Sequence, residues 1–416
     1  MNPFIRLSRF LRRPPSSRRS ISTRTPPKLD SFTKNEEERM PAFTRGLYYP
    51  VNLGDIFHSR YKVLSKLGYG ANSTVWFCRD LQHHQYVALK IYTGSSNRNS
   101  SSPRANQEVR VLEHLAKMKT NHPGSSCVHN MKGKFELIGS SGVHQCIVFE
   151  PLVTSLLHFQ ATLDPKSLTE DMLKGALQQL LMALDYLHAE GGVVHTDIQA
   201  KNIIISAKDD SIFHEWENQE ADDPSPRKID GGSNYTVYQS RPFHRTKGWN
   251  RSFGMPLLCD FGEARLGKGV HDGLVQPDIY RAPEVILGLR WTSKVDIWNV
   301  GVLIWDLFED HHLFDGRGPD GRHSDVHLLA EMVAMLGPPP VGFLSQSPHS
   351  WNYWNSSGEW IGSAGVPDMS LEDSEEYLAG ENKETFLRFM RKMLRWDPEE
   401  RQSARELLTD PWLTSP

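Results

Sequence analysis

The sequence predicts an α+β fold of two lobes, a small β-rich lobe with one main helix followed by a larger, mostly α-helical lobe. Two patterns carry this. Between Tyr61 and Tyr92 short runs alternate apolar and polar residues at the spacing of half-buried strands, and beyond Pro151 leucines recur every three or four residues, the spacing of one helix face. With 416 residues, 38% of them hydrophobic, the chain is long enough to bury a core in each lobe.

In chain order, residues 1–40 read as a basic Arg/Ser/Pro-rich tail. Strands are expected at Tyr61 to Leu67, Thr74 to Arg79 and Tyr86 to Tyr92, a helix from Ala105 to Lys117, and another strand from Val143 to Phe149. A capping-box pattern from Ser167 to Glu170 opens the helix that carries Leu173, Leu177, Leu180, Leu184 and Leu187. Residues 206–255 and 338–380 lack periodicity and read as irregular inserts, the second anchored by Trp351, Trp354 and Trp360. One folded unit is expected over residues 55–415, with a small lobe at 61–150 and a large lobe at 151–415.

Composition excludes several functions. With 47 basic and 50 acidic residues the formal charge is -3, so no global polyanion-binding surface is implied and no direct nucleic-acid partner is expected. Cys78, Cys127, Cys146 and Cys259 are scattered and lack the short paired spacings of a zinc site or redox dithiol. No apolar run reaches the roughly 18 to 20 residues that cross a bilayer, so no membrane span is expected. A monomer in the cytoplasm, the nucleus or both is the expectation. Residues 1–29, rich in arginine and serine and free of acid before Asp30, offer the alternative of a mitochondrial presequence outside the fold.

The chemistry sits in a few motifs. Leu67-Gly68-Tyr69-Gly70-Ala71-Asn72-Ser73-Thr74-Val75 lies between two strands, and its glycines let backbone approach phosphates. A dinucleotide-binding reading needs a helix after such a loop, whereas a β-branched, aromatic run follows here. Val87-Ala88-Leu89-Lys90 puts a lysine in an apolar strand, where burial is costly unless an anion meets it; Glu108 on the next helix is the natural partner.

Together with His195-Thr196-Asp197-Ile198-Gln199-Ala200-Lys201-Asn202, Asp260-Phe261-Gly262 and Ala282-Pro283-Glu284, these motifs stand in an order that resembles the eukaryotic protein kinases. The likeness extends over about residues 55–415 and includes Asp296-Ile297-Trp298 and the Arg401 region. It implies a bilobal kinase fold with ATP and Mg²⁺ as cofactors and Ser/Thr-bearing proteins as substrates. Lys90, oriented by Glu108, would hold the α- and β-phosphates; Asp197 would take the hydroxyl proton; Asn202 and Asp260 would bind Mg²⁺. Nucleotide contacts would come from the glycine loop (Leu67, Gly68, Tyr69, Gly70, Ala71, Asn72, Ser73 and Val75), from Ala88, and from Phe149, Glu150 and Leu152 where the lobes join. Glu284 and Arg401 match an internal ion pair of the family.

His-Thr-Asp, the Gly-x-x-Ser end of the loop, Val148-Phe149-Glu150 and the long insert before Asp260 resemble the SR-protein kinases in particular, which implies Arg/Ser-rich substrates. Glu309, Asp310, Asp315 and Asp320 are candidate acids for such substrates, although a solvated charged face explains them as well. Two departures matter. Thr196 replaces the arginine that usually receives a phosphorylated activation segment, and no Ser, Thr or Tyr occurs from Glu263 to Ile279, so ordering without phosphorylation is expected, with Tyr280 as the one neighbour open to modification. Gln199 stands where a catalytic-loop lysine is usual, which keeps an ATP-binding pseudokinase or scaffold as the alternative to an active enzyme.

Overall fold

The computed structural model describes residues 25–95, 102–229, 235–241, 253–309 and 311–415. Helix α1 (Pro41–Thr44) and strand β1 (Ile56–Phe57) lead into β2 (Tyr61–Gly70), β3 (Ser73–Asp80) and β4 (Gln85–Tyr92); helix α2 (Pro103–Lys117) follows, then β5 (Met131–Gly139) and β6 (Gly142–Phe149). These strands form one antiparallel sheet in the order β1-β2-β3-β4-β6-β5. The strands read from sequence are present, and β5 is an addition. Its side chains alternate between half-buried and exposed along the sheet edge, a pattern easily taken for loop because neither face is fully apolar.

The second lobe holds β7 (Thr154–Ser155), α3 (Leu156–Gln160), α4 (Glu170–Asp185), β8 (Val193–Val194), β9 (Ile203–Ala207), α5 (Ser211–Asp222), β10 (Arg227–Ile229), β11 (Thr236–Tyr238), β12 (Phe253–Leu258), β13 (Arg265–Leu266), α6 (Pro283–Ile286), α7 (Lys294–Phe308) and α8 (Asp325–Leu336). Helix α7 is buried from Val295 to Trp305, apolar around its circumference apart from Asp296 and Asn299, and forms the centre of the lobe. Helix α4 is capped by Thr169, whose hydroxyl accepts from the Met172 amide, rather than at the expected Ser167; the first helical turn starts at Glu170, which leaves Ser167 outside it. Mixed α and β content in two lobes is the predicted fold class.

The inserts are less irregular than the sequence suggests. Residues 206–255 carry α5, the β10–β11 ribbon and the start of β12. Ile212, Phe213 and Trp216 form a short apolar stripe on α5, and it closes over Phe77 and Tyr86 of the small lobe. In residues 338–380, Trp354 is buried against Trp360 and Trp396, while Trp351 stays 40% exposed and anchors nothing comparable.

The tail expectation also changes. Residues 1–24, which hold most of the presequence candidate, lie outside the described residues. From Lys28 onward the segment joins the fold: Lys28 bridges Arg227, and a 3-10 turn at Glu36–Arg39 brings Glu37 into the interior. An acidic run here finds its cations in Lys66 and Lys228, so the boundary at residue 40 fails for an electrostatic reason. Tyr48 and Val51 are buried too, ahead of the expected start at residue 55. Among the described residues no helix is long and apolar enough to cross a membrane.

Candidate active site

The glycine loop is the hairpin between β2 and β3, where Gly68 pairs with Val75 and Gly70 with Ser73 around Ala71 and Asn72. Neither glycine has a positive φ, and a Cβ placed on either would meet nothing within 4 Å. Packing and backbone strain therefore do not demand glycine here; the missing side chains leave open room over the loop, as close approach of a phosphate requires. Tyr48 fixes the loop's end by donating to the Gly70 carbonyl at 2.5 Å.

Below it, β4 places Lys90 between Val75 and Ile147. Its ammonium lies 2.9 Å from Glu108 Oε2 on α2 and 3.2 Å from Asp260 Oδ1. Tyr92 also donates to the buried Glu108 carboxylate. Burial works against the charge on Lys90, but Asp260 and Glu108 outweigh it and hold the ammonium well above its ordinary pKa. Burial likewise raises the Asp260 carboxyl, yet Lys90 and Arg104 prevail and keep it below the usual carboxylate range. Both groups are ionised across the physiological range.

The catalytic loop follows β8. Asp296, fully buried on α7, accepts from the amides of His195 and Thr196 at 2.8 Å each and from His188 Nε2 at 2.8 Å. Thr196, held by that clamp, has φ 64, a left-handed conformation uncommon for a β-branched residue. Asn202 Nδ2 donates to Asp197 Oδ2 at 2.9 Å and to the Asp197 carbonyl at 2.8 Å, and Gln199 donates to Asp197 Oδ1. Strands β9 and β12 run antiparallel with Ile203 opposite Leu258, and the Cys259 amide bonds the Asn202 carbonyl at 2.8 Å. Their register therefore sets Asn202 across from Cys259, the residue before Asp260, at one end of the ladder. A carboxylate and an amide oxygen suit a hard cation such as Mg²⁺. Among the described residues no group of three or more His, Cys, Asp and Glu could hold a metal.

Of the expected nucleotide contacts, Ala88 and Phe149 pair across β4 and β6 and are buried, with Leu67 and Val75 packed at their edge. Glu150 and Leu152 follow Phe149 in the segment that joins the lobes. Sequence reasoning missed four residues: Tyr92, Asp296 in its bonding role, His129 behind Phe149, and Arg104, which reaches Glu263 at 3.0 Å. Only Asp296 had a signal in the sequence, as part of Asp296-Ile297-Trp298. Lys201 is exposed and forms no ion pair among the described residues. Two expectations are corrected. Tyr280 is buried with its hydroxyl on Asp306, closed to modification, and Glu309 is buried rather than on a substrate-facing surface; Asp310 lies outside the described residues. The Glu284–Arg401 pair is present, bidentate at 2.7 Å and buried.

A two-lobed fold with a glycine loop, a lysine held by a helix carboxylate and an Asp/Asn/Asp set at the lobe junction defines the protein kinases. The chain belongs to that family: the protein kinase domain matches residues 61–214 and 250–413. A serine/threonine protein kinase of Aspergillus fumigatus is 68% identical over 413 residues, covering 99% of each chain. The serine/threonine-protein kinase SRPK of Physarum polycephalum is 29% identical over 399 residues, covering 91% of this chain and 92% of its own. SRSF protein kinase 3 of Homo sapiens is 24% identical over 536 residues, covering 95% and 94%. A crystal structure of a kinase domain superposes with a TM-score of 0.66 at 21% identity, covering 89% of this chain and 99% of that one, and shows the same fold. The protein is a serine/threonine protein kinase, with SR-protein kinases among its relatives, and a scaffold without transfer finds no support in these likenesses.

Proposed function

We propose that the chain transfers the γ-phosphate of Mg-ATP to serine or threonine in Arg/Ser-rich protein segments, without phosphorylation of its own activation segment. The observation that carries the chemistry is the joined set in which Lys90 spans Glu108 and Asp260 while Asp197 and Asn202 share hydrogen bonds. Lys90 would hold the α- and β-phosphates under the glycine loop, and Asn202 and Asp260 would hold Mg²⁺. The bound cation would neutralise phosphate charge as the bond to ADP breaks. Asp197, held by Asn202 and Gln199, orients the substrate hydroxyl and takes its proton as the oxygen attacks phosphorus. Gln199 thus serves the carboxylate and supplies no positive charge of its own.

Ordering of the activation segment is supported by contacts within the chain, several neutral hydrogen bonds and one ion pair. Thr196 Oγ1 donates to the Glu263 carbonyl at 2.8 Å, Arg104 pairs with the Glu263 carboxylate, and Gln107 donates to the Ala264 carbonyl at 2.7 Å. Further along, Trp291 donates to the Gly273 carbonyl at 2.9 Å and Gln276 to the Val295 carbonyl at 2.9 Å. The substrate class rests on the likeness to SRPK and SRSF protein kinase 3, with exposed Asp315 and Asp320 as acids that could meet arginine. The test is labelled phosphate transfer to an Arg-Ser repeat peptide and to a generic basic protein, with Asp197→Ala as control. Preference for the repeat peptide, lost in the control, is expected; equal use of both substrates would reject the substrate class.

A further inference from the structure

His129 lies just after the bridge of Val128 to Leu258, its own amide bonded to the Leu258 carbonyl at 2.9 Å. Its ring stacks on Phe149, with centroids 4.7 Å apart and planes at 25°. From there Nε2 reaches the backbone carbonyl of Glu150 at 2.9 Å. The Glu150 side chain leaves toward solvent, 66% exposed and 3.4 Å from Lys132, so the carbonyl is the part of this residue that faces the protein. Burial, with Lys90 and Lys132 adding to it, pushes the imidazole down to about 4, so the ring is neutral and carries one proton. A carbonyl only accepts, so that proton sits on Nε2.

We infer that His129 is a positioning residue of the nucleotide pocket that sets its preference for adenine over guanine, by fixing the Glu150 carbonyl where the lobes join. The inference rests on the reading of this junction as the purine site. Adenine presents an exocyclic amine where guanine presents a carbonyl. A fixed backbone acceptor therefore bonds the first and repels the second, and the energetic penalty of an unmatched buried polar pair makes the discrimination steep. The carbonyl has two lone pairs; His129 occupies one and leaves the other for the purine. An apolar residue at position 129 would leave the peptide freer to turn and would weaken ATP more than GTP.

The experiment compares Mg-ATP and Mg-GTP, in steady-state transfer and in direct binding, for the full chain, His129→Phe and His129→Gln. Phenylalanine keeps a ring on Phe149 but has no donor; glutamine returns an N–H at a similar reach. The wild type is expected to favour ATP. His129→Phe should raise KM for ATP about fivefold, the scale of one positioned hydrogen bond, with kcat and the GTP values little changed, and His129→Gln should recover most of the loss. Equal weakening of both nucleotides, or an unchanged ATP-to-GTP ratio in His129→Phe, would overturn the role of His129 and leave the nucleotide site standing. A wild type that binds neither nucleotide would overturn both.

Discussion

Two lysines on one sheet are both taken out of water by carboxylates, and they differ in what remains open. Lys66 on β2 has a side chain with no exposed surface; Glu37 pairs with it, Glu36 lies 3.4 Å away, and the Tyr238 carbonyl accepts from it at 3.0 Å. Its shell is closed by the N-terminal segment and the insert. Lys90 on β4 keeps 13% of its side chain exposed and divides its ammonium between Glu108 and Asp260, which stand on different elements. A cation with a closed shell is structure, whereas one shared between two separately mounted acids, under a loop with free space above it, can turn toward a phosphate.

The largest expected effect tests the open member of the pair. Lys90→Met should lower kcat by about 10²- to 10³-fold, the scale of losing a charge-assisted contact to the nucleotide phosphates, while the melting temperature falls less than in a Lys66 variant, because Tyr92 still donates to Glu108 and Arg104 still faces Asp260. Measuring transfer and thermal unfolding on the same preparations separates the two. A Lys90→Met protein that unfolds as readily as a Lys66 variant would erase the distinction between the lysines.

The closed member should show the reverse. Glu37→Gln leaves the Lys66 charge buried without its main partner, a change that typically costs about 3 to 5 kcal/mol. Replacing both at once, Glu37→Gln with Lys66→Met, removes the stranded charge, and the double variant should be more stable than Glu37→Gln alone. Denaturant unfolding reads this directly. Activity per folded molecule should survive in the double variant, because neither residue touches the Lys90 cluster.

The same comparison explains what the sequence made legible. Lys90 was readable because its partners are announced by motifs: an apolar strand before it, a helix with Glu108 after it, and Asp260-Phe261-Gly262 further on. Lys66 was not, because Glu37 stands 29 residues upstream in a segment whose composition reads as a polar tail, and only tertiary folding brings them together. Helix α5 escaped notice for a related reason. Its stripe of Ile212, Phe213 and Trp216 is too short to declare a period, and it is stabilised by Phe77 and Tyr86 in the other lobe. The catalytic loop lies between these cases: Asp197 and Asn202 stand out in the sequence, but Asp296, which clamps the loop from α7, acts across a separation of about a hundred residues.

Glu309 provides a buried charge with neither kind of shell. Burial, with Glu375 and Glu376 adding to it, pushes its carboxyl up to about 7, and Oε1 has no hydrogen-bond partner among the described residues. A carboxyl whose pKa is higher in the folded chain than in the unfolded one keeps its proton on folding, so between about pH 4.5 and 7 the folded state binds more protons and stability falls as pH rises. Glu309→Gln should therefore raise the melting temperature at pH 8 by on the order of a degree or two and leave it nearly unchanged at pH 5. A larger gain at pH 5 than at pH 8 would show that the carboxyl is ionised in the folded protein at both.

The smallest effect concerns Thr196, where the active site uses a neutral bond at a position that charge could have filled. Its hydroxyl bonds the Glu263 carbonyl, and the Glu263 carboxylate is held separately by Arg104, so one residue of the activation segment is tied to the catalytic loop by its backbone and to α2 by its side chain. Thr196→Val keeps the shape and removes one hydrogen bond, a loss of about 1 kcal/mol, enough for roughly fivefold faster local opening. Hydrogen exchange at residues 263–267 should quicken by that factor while exchange in α7 stays the same, and transfer should fall only modestly because Arg104 and Gln107 still hold the segment. If exchange instead quickened throughout the large lobe, Thr196 would be a general stabiliser of the loop, and the ordering of the activation segment would have to come from the contacts of Trp291 and Gln276 further along.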